Sequence, residues 1–144
     1  MQIISHRGNI NGSDKLMENQ PHNVMNTICM GFDVEVDVWY MSNGMYLGHD
    51  EPKYKIEFSF LVNNHLWIHC KNLEALIYLH LYGDKNMNLF YHKEDVALTT
   101  RGFLWTAPGL LLSNKSIAVM PELVDNWDIK EAFGVCTDYP MKYK

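Results

Sequence analysis

The chain has few cysteines, and this shortage bears on its redox environment. It carries Cys29, Cys70 and Cys136, which are odd in number and far apart in the sequence. A disulfide framework needs an even set of closely spaced cysteines, so three free thiols are the expectation. Because no charged leader precedes Ile3-Ile4 and no apolar stretch is long enough to span a membrane, we expect a cytoplasmic protein.

Cationic residues and long apolar runs are also scarce. The 12 Lys and Arg are outnumbered by 17 Asp and Glu, the net charge is -5, and no basic run occurs. This balance argues against a nucleic-acid partner. No apolar stretch approaches the ~20 residues that a membrane span requires. Met1-Gln2 leads directly into the strand-like Ile3-Ile4 without a charged leader segment.

The residues that are present fit one packed domain over 1-144. The chain is 47% hydrophobic, which is typical of a globular core. Apolar and alternating runs predict eight strands, and apolar periodicity predicts three helices. The predicted strands are Gln2 to His6, Phe32 to Tyr40, Met45 to His49, Leu66 to Lys71, Asn88 to His92, Gly102 to Thr106, Ser116 to Pro121 and Gly134 to Asp138. The predicted helices are Gln20 to Met30, Asn72 to Tyr82 and Asp125 to Phe133.

The second predicted strand carries three acids on one face. Asp33, Glu35 and Asp37 are two residues apart, so their side chains point the same way and the intervening valines point the other way. Carboxylates turned into a sheet interior lose hydration and need counter-charges. A hard divalent cation would supply them. The alternative is that Arg7 and Lys71 neutralise the acids as structural ion pairs.

Five short motifs lie along the chain in a definite order, each near the end of a predicted strand or in the loop that follows. Their order resembles that of the glycerophosphodiester phosphodiesterase family, within the wider group of phospholipase-C-like phosphodiesterases. The resemblance implies a (β/α)8 barrel of the TIM type with its site at the carboxyl ends of the strands. The motifs are His6-Arg7-Gly8, Glu18-Asn19, Glu35-x-Asp37, Gly48-His49-Asp50 and Thr137-Asp138-Tyr139-Pro140.

The length modifies that expectation. Barrels of this type usually need ~250 residues, whereas this chain has 144 and still carries both the first and the last motif. We therefore expect a minimal barrel in which several helices are shortened or missing.

The resemblance also implies residue roles. His6 and His49 would be the catalytic acid and base on opposite sides of a phosphodiester. Glu35 and Asp37 would be two ligands of one divalent cation, magnesium or calcium in terms of the family. Imidazole suits both proton transfers because its ordinary pKa lies near neutrality.

Cationic and supporting residues complete the implied site. Arg7 and Lys71 would bind the substrate phosphate. Glu18 and Asn19 are expected to orient Arg7, and Asn19 to cap the helix that follows.

The predicted fourth strand departs from the family pattern. His69 stands where the family usually has a third carboxylate, and it shares a face with Lys71. A neutral imidazole can bind a metal but softens the site, which favours manganese or zinc over magnesium or calcium. The alternative is that His69 only hydrogen-bonds to Asp37 and that activity is weakened or lost.

The resulting functional prediction is a metal-dependent phosphodiesterase that converts a glycerophosphodiester, or a similar small diester, into an alcohol and a phosphomonoester. Two alternatives remain: a non-catalytic phosphate-binding protein on a degenerate barrel, and a lyase that stops at a cyclic phosphate. The pair His6 and His49 favours an enzyme, because a binder needs cations rather than an acid and a base.

Some polar and apolar residues have no assigned role. His92 and Glu122 either line the mouth of the site or belong to its rim. Asp138 is expected to hydrogen-bond the end of the last strand and close the barrel. The runs 103-105 and 110-112 show no polar alternation, so a homodimer is predicted to cover that flank, unless irregular loops do so.

Overall fold

A curled sheet of ten strands dominates the computed structural model, which describes all 144 residues. Three short α-helices and two 3-10 turns, Pro121–Leu123 and Pro140–Tyr143, accompany it. The strands are β1 (Gln2–His6), β2 (Asp33–Met41), β3 (Gly44–Leu47), β4 (Tyr54–Ile56), β5 (Leu66–Cys70), β6 (Asn88–Phe90), β7 (Val96–Leu98), β8 (Leu104–Thr106), β9 (Ser116–Val119) and β10 (Gly134–Thr137). The helices are α1 (Pro21–Cys29), α2 (Phe58–Leu61) and α3 (Leu73–Tyr82).

The sheet is mixed. Parallel pairing joins β6, β5, β2, β1, β10, β9 and β8 in that order. Antiparallel pairing adds β3 and β4 beside the end of β2, and β7 beside β8. The strand β2 has three neighbours because its nine residues are long enough for β1 to pair with its start and β3 with its end.

The predicted minimal (β/α)8 barrel is therefore wrong. Such a barrel alternates strands with helices, whereas the connections from β6 to β10 contain no α-helix and three strand pairs are antiparallel. The predicted helix Asp125 to Phe133 is absent: the segment forms turns, and Asn126 has a φ of 60°, which a helix does not allow. Without these helices, no outer helical layer surrounds the sheet.

The two faces of the sheet carry different cores. On the outer face, the valines of β2 pack with α1 and α3 in the larger cluster. On the inner face, Trp67, Phe90 and Trp105 form an apolar layer with Ile4 and Ile117. The ring centroids of Phe90 and Trp105 are 4.5 Å apart. Side chains two residues apart on a strand share a face. The residues two positions after these apolar ones therefore also point inward, directly above the apolar layer.

The free edge of β6 pairs with no strand. Thr100 closes it instead: its backbone N–H donates to the carbonyl oxygen of Leu89 at 2.8 Å, and its Oγ1 accepts from the N–H of Leu89 at 2.8 Å. The same Oγ1 donates to the carbonyl oxygen of Met87 at 3.0 Å. One residue thus joins the edge of β6 to the segment after β7.

The flank for which a homodimer was predicted is partly covered by the chain itself. Trp105 belongs to the inner core, and Phe103 packs on Phe133 with ring centroids 4.6 Å apart. Leu111 remains 95% exposed. The homodimer stays a prediction.

None of the three helices has the length and apolar character needed to cross a membrane.

Candidate functional site

The carboxyl ends of neighbouring parallel strands bring the predicted site residues together. His6 at the end of β1 aligns with Glu35 of β2, and Asp37 aligns with His69 of β5. Aligned residues of paired strands point to the same face, here the inner one. The site therefore stands directly on the apolar layer of the inner core.

Glu35 and Asp37 are buried, with 2% and 0% of their surfaces exposed. Oε2 of Glu35 and Oδ1 of Asp37 have no hydrogen-bond partner. One donor atom from each of these acids and one from His69 lie within 4.8 Å of one another. Two carboxylate oxygens that accept no hydrogen bond and an imidazole nitrogen are a donor set that a divalent cation accepts, so the residues present fit a metal.

Cationic groups surround Asp37. Nε of Arg7 lies 3.1 Å from its Oδ2, and Nζ of Lys71 lies 3.6 Å from its Oδ1. Asn19 donates to Oδ2 at 2.8 Å and accepts from the backbone N–H of Asp37 at 2.9 Å. Burial alone would raise the pKa of Asp37, but His69, Arg7 and Lys71 together hold it far below its ordinary value. Asp37 is consequently ionised, and it forms ion pairs with Arg7 and Lys71.

His69 packs against two flat rings that lie next to each other, one at the end of β6 and one just after it. Its ring stacks on Phe90 at 4.9 Å and on His92 at 4.6 Å between centroids. Its Nδ1 lies 3.0 Å from Oδ1 of Asp37, outside hydrogen-bond alignment, and 3.7 Å from Oε1 of Glu35. Burial lowers the pKa of His69, but the two acids outweigh it and raise the pKa. Nδ1 of His69 therefore faces both acids, and His92 packs beside its ring.

His6 is oriented by Asp138, which follows β10. Nδ1 of His6 lies 2.8 Å from Oδ1 of Asp138, and the same oxygen accepts a hydrogen bond from Asn9 at 2.8 Å. Burial would lower the pKa of His6, but Asp138 and Glu35 raise it. A carboxylate at Nδ1 fixes the ring and leaves Nε2 as the nitrogen available to a ligand. Asp138 thus positions His6, a role the sequence-based interpretation missed.

His49 reaches the same place from the loop after β3. Its side chain is 40% exposed, and its Nδ1 lies 2.8 Å from Oδ1 of Asp50. Gly48 permits this loop because its φ is 154° and a Cβ there would lie 2.0 Å from the carbonyl oxygen of Glu51. One cavity of about 160 Å³, the inner cavity, is lined by residues that include both histidines of the predicted acid-base pair. Its lining is His6, Arg7, Glu35, His49, His69, His92, Trp105 and Val119.

Glu18 and Asn19 both contact Arg7. Nη1 of Arg7 donates to Oε2 of Glu18 at 3.1 Å, and the backbone N–H of Asn19 donates to the carbonyl oxygen of Arg7 at 3.0 Å. Asn19 does not cap α1, however. Gln20 precedes that helix, and no side chain caps it. Asn19 is bound to Asp37 instead, which places it in the site rather than in the helix.

The cysteines supply no nucleophile to this site. Cys136 lies on the inner face beneath the site, where burial raises its pKa well above the ordinary value. Burial also raises the pKa of Cys70 to about 12. Both thiols therefore stay protonated and unreactive. Cys29 is exposed and belongs to α1 on the outer side.

Comparisons with protein-family models, with curated proteins and with solved structures find no match to this chain. The resemblance to glycerophosphodiester phosphodiesterases consequently rests on the five motifs.

Proposed function

We propose that the chain is a phosphodiesterase that hydrolyses a small phosphodiester, such as a glycerophosphodiester, to an alcohol and a phosphomonoester. The observation that carries this proposal is the shared inner cavity, which His6 and His49 line together with Arg7 and Glu35. Two imidazoles beside a buried cationic and anionic cluster match the needs of phosphate chemistry, namely proton transfer and charge stabilisation.

His6 and His49 carry the proton transfers in this proposal. One ring accepts the proton of the attacking water or hydroxyl, while the other donates a proton to the oxygen of the departing alcohol. Asp138 contacts Nδ1 of His6, so Nε2 is the nitrogen that would transfer the proton in the cavity. Asp50 contacts Nδ1 of His49 in the same way. The enclosed position also keeps the reacting groups close to the phosphate and to each other.

Arg7 lines the inner cavity and would bind the phosphate oxygens. Lys71, the residue after β5, adds positive charge through its contact with Asp37. A divalent cation would be held by Glu35, Asp37 and His69. When bound, it would neutralise phosphate charge and polarise a phosphoryl oxygen. Magnesium or calcium follows from the family resemblance, and manganese or zinc from the imidazole of His69.

The test is an activity assay on metal-stripped protein. A panel of glycerophosphodiesters and a model aryl phosphodiester is offered, with magnesium, calcium, manganese or zinc added back in turn. Hydrolysis yields a phosphomonoester, whereas a lyase yields a cyclic phosphate, and phosphorus NMR separates the two products. Saturable binding without turnover under every metal would refute the proposal and favour a phosphate-binding protein.

His69→Glu tests the ligand role directly. A carboxylate is a harder ligand than imidazole, so we expect the variant to bind magnesium or calcium about 10-fold more tightly than the native chain. Calorimetric titration of the metal-stripped proteins measures this. His65→Glu, at an exposed position outside the inner cavity, is the matched control. Unchanged magnesium affinity in His69→Glu would show that His69 only contacts the acids.

Asp138→Asn tests the orientation of His6. Asp138 raises the pKa of His6, so its removal should move one limb of the pH-rate profile to lower pH. A shift of the acidic limb identifies His6 as the base, and a shift of the alkaline limb identifies it as the acid. We also expect turnover to fall about 10-fold or more, because the ring loses its fixed tautomer. An unshifted profile would contradict the positioning role.

A further inference from the structure

The helix α3 carries apolar residues on two opposite faces. On its inner face, Ala75 and Leu79 pack into the larger core cluster and are almost completely buried. On its outer face, Leu73, Ile77 and Leu81 are 52%, 50% and 64% exposed. Residues four apart in a helix lie in one row, so these three form a continuous apolar row, the α3 stripe. A helix that is apolar on both faces is normally covered on both, and the outer face of α3 has no cover within the chain.

The rest of the fold holds α3 in place. Asn72 caps its start by accepting from the N–H of Ala75 at 3.2 Å, and Nδ2 of Asn72 donates to the carbonyl oxygen of Tyr40 at 2.9 Å. The ring of Tyr78 stacks on the ring of Tyr40, with centroids 4.2 Å apart. The α3 stripe is therefore a preformed surface, and a second molecule would bind it without having to order the helix first.

The charges beside the α3 stripe indicate what kind of molecule fits it. The helix contains no lysine or arginine, whereas helices that bind lipid surfaces are usually rich in these residues beside their apolar face. Glu74 and His80 are exposed and lie on opposite flanks of the α3 stripe. One flank is thus acidic, and the other offers an imidazole that can donate a hydrogen bond. A fitting surface has an apolar row with the complementary flanks.

A second copy of the chain meets this description. In a two-fold dimer the same surface contacts itself, and rows of residues spaced four apart interdigitate when two helices cross at about −50°. In a near-parallel crossing, each flank of one helix meets the opposite flank of the other, so Glu74 of each copy faces His80 of the second copy. In an antiparallel crossing, the two Glu74 side chains would face each other and repel. The α3 stripe is therefore complementary to itself in the near-parallel orientation.

We propose that the α3 stripe is the interface of a homodimer in which two copies of α3 cross near-parallel about a two-fold axis. Its three half-exposed side chains offer roughly 300 Å² per copy, which places the interface below the ~1,200 Å² total of stable complexes. We therefore expect a weak dimer with a dissociation constant of about 10–100 μM. This inference does not depend on the proposed phosphodiesterase function. It assigns the dimer to α3 and not to the flank formed by the runs 103-105 and 110-112.

Sedimentation velocity of the native chain and of two variants, from about 5 to 500 μM, tests the interface. The native chain should shift from monomer to dimer over this range. Ile77→Lys should weaken association by about 10-fold or more, because dimerisation would bury an unpaired ammonium group. The matched control is Leu111→Lys, which changes a 95% exposed leucine on the other flank and should dimerise like the native chain. Thermal unfolding establishes that both variants are folded.

Two results would overturn the inference. One is a native chain that stays monomeric at the highest concentration, and binding to neutral phosphatidylcholine vesicles would then assign the α3 stripe to a lipid surface. The other is a dimer that survives in Ile77→Lys and is lost in Leu111→Lys, which would place the interface on the flank.

Charge reversal tests the orientation of the two helices. His80→Glu puts an acid opposite Glu74 of the second copy, so the dissociation constant should rise about 5-fold, as expected for two exposed charge contacts. The double variant Glu74→Lys/His80→Glu should recover the native value, because opposite charges then meet again. A double variant that associates as weakly as His80→Glu alone would overturn the near-parallel arrangement.

Discussion

Replacement of His6 by alanine should lower kcat/KM for a phosphodiester by about 10²- to 10⁴-fold, the usual contribution of a positioned acid or base. The reason is geometric: His6 is held by Asp138 and faces the inner cavity that His49 also lines. His49→Ala should have an effect of similar size. The double variant should lose little more than either single variant, because two groups that act in one step are not additive. Steady-state kinetics measure all three.

The control for this experiment is His80→Ala, which removes an exposed imidazole on α3. It should leave kcat/KM unchanged. Thermal unfolding of each variant establishes that the protein is still folded. Equal activity in the native chain and in both single variants would indicate a contaminating enzyme, and the acid-base assignment would then be wrong.

The second large effect concerns stability. Asp37→Ala should lower the free energy of unfolding by about 3–5 kcal/mol, because it removes a counter-charge from two largely buried cationic groups. Arg7 and Lys71 are both in contact with Asp37, whose side chain is fully buried. Urea unfolding in the presence of a chelator measures the loss. Asp50→Asn is the control, since the Asp50 side chain is 90% exposed, and it should change stability by less than about 0.5 kcal/mol.

The same carboxylate predicts how this loss depends on pH. The pKa of Asp37 is depressed in the folded chain, so its stabilisation is fully present above the ordinary carboxyl pKa of about 3.9. It disappears as the pH falls towards the folded value. The difference in stability between the native chain and Asp37→Ala should therefore be constant near neutrality and shrink in acid. A difference that persists unchanged at low pH would show that the charge of Asp37 is not what stabilises the site.

Local sequence patterns predicted where the strands lie, but they did not predict the architecture of the sheet. Each of the eight predicted strands overlaps an observed one, since apolar alternation over four or more residues is a local signal. The strands β4 and β7 were not predicted. They have three residues each, as do β6 and β8, but β6 and β8 lie within the predicted five-residue runs Asn88 to His92 and Gly102 to Thr106. The barrel prediction failed because it took the helices from a family resemblance, whereas the connections after β6 are too short or too irregular to form them.

In the site, as in the fold, local sequence patterns allowed predictions, whereas contacts between distant parts of the chain did not show in the sequence. Glu35 and Asp37 share a face by spacing alone, and His69 joins them because β5 pairs with β2. The role of Asp138 depended on a pairing between the two ends of the chain, β1 with β10, which no local pattern reveals. That pairing is the signal that would have assigned Asp138 to His6.

Thr100, which completes the edge of β6, has a consequence for motion. Most neighbouring strands are held by several ladder hydrogen bonds, whereas this edge depends on one residue, so β6 and β7 should separate before the rest of the sheet opens. Amide hydrogen exchange would then be fastest along this edge. His92 follows β6 and lines the inner cavity, so each such opening gives water and small products a lateral exit that bypasses the loop carrying His49.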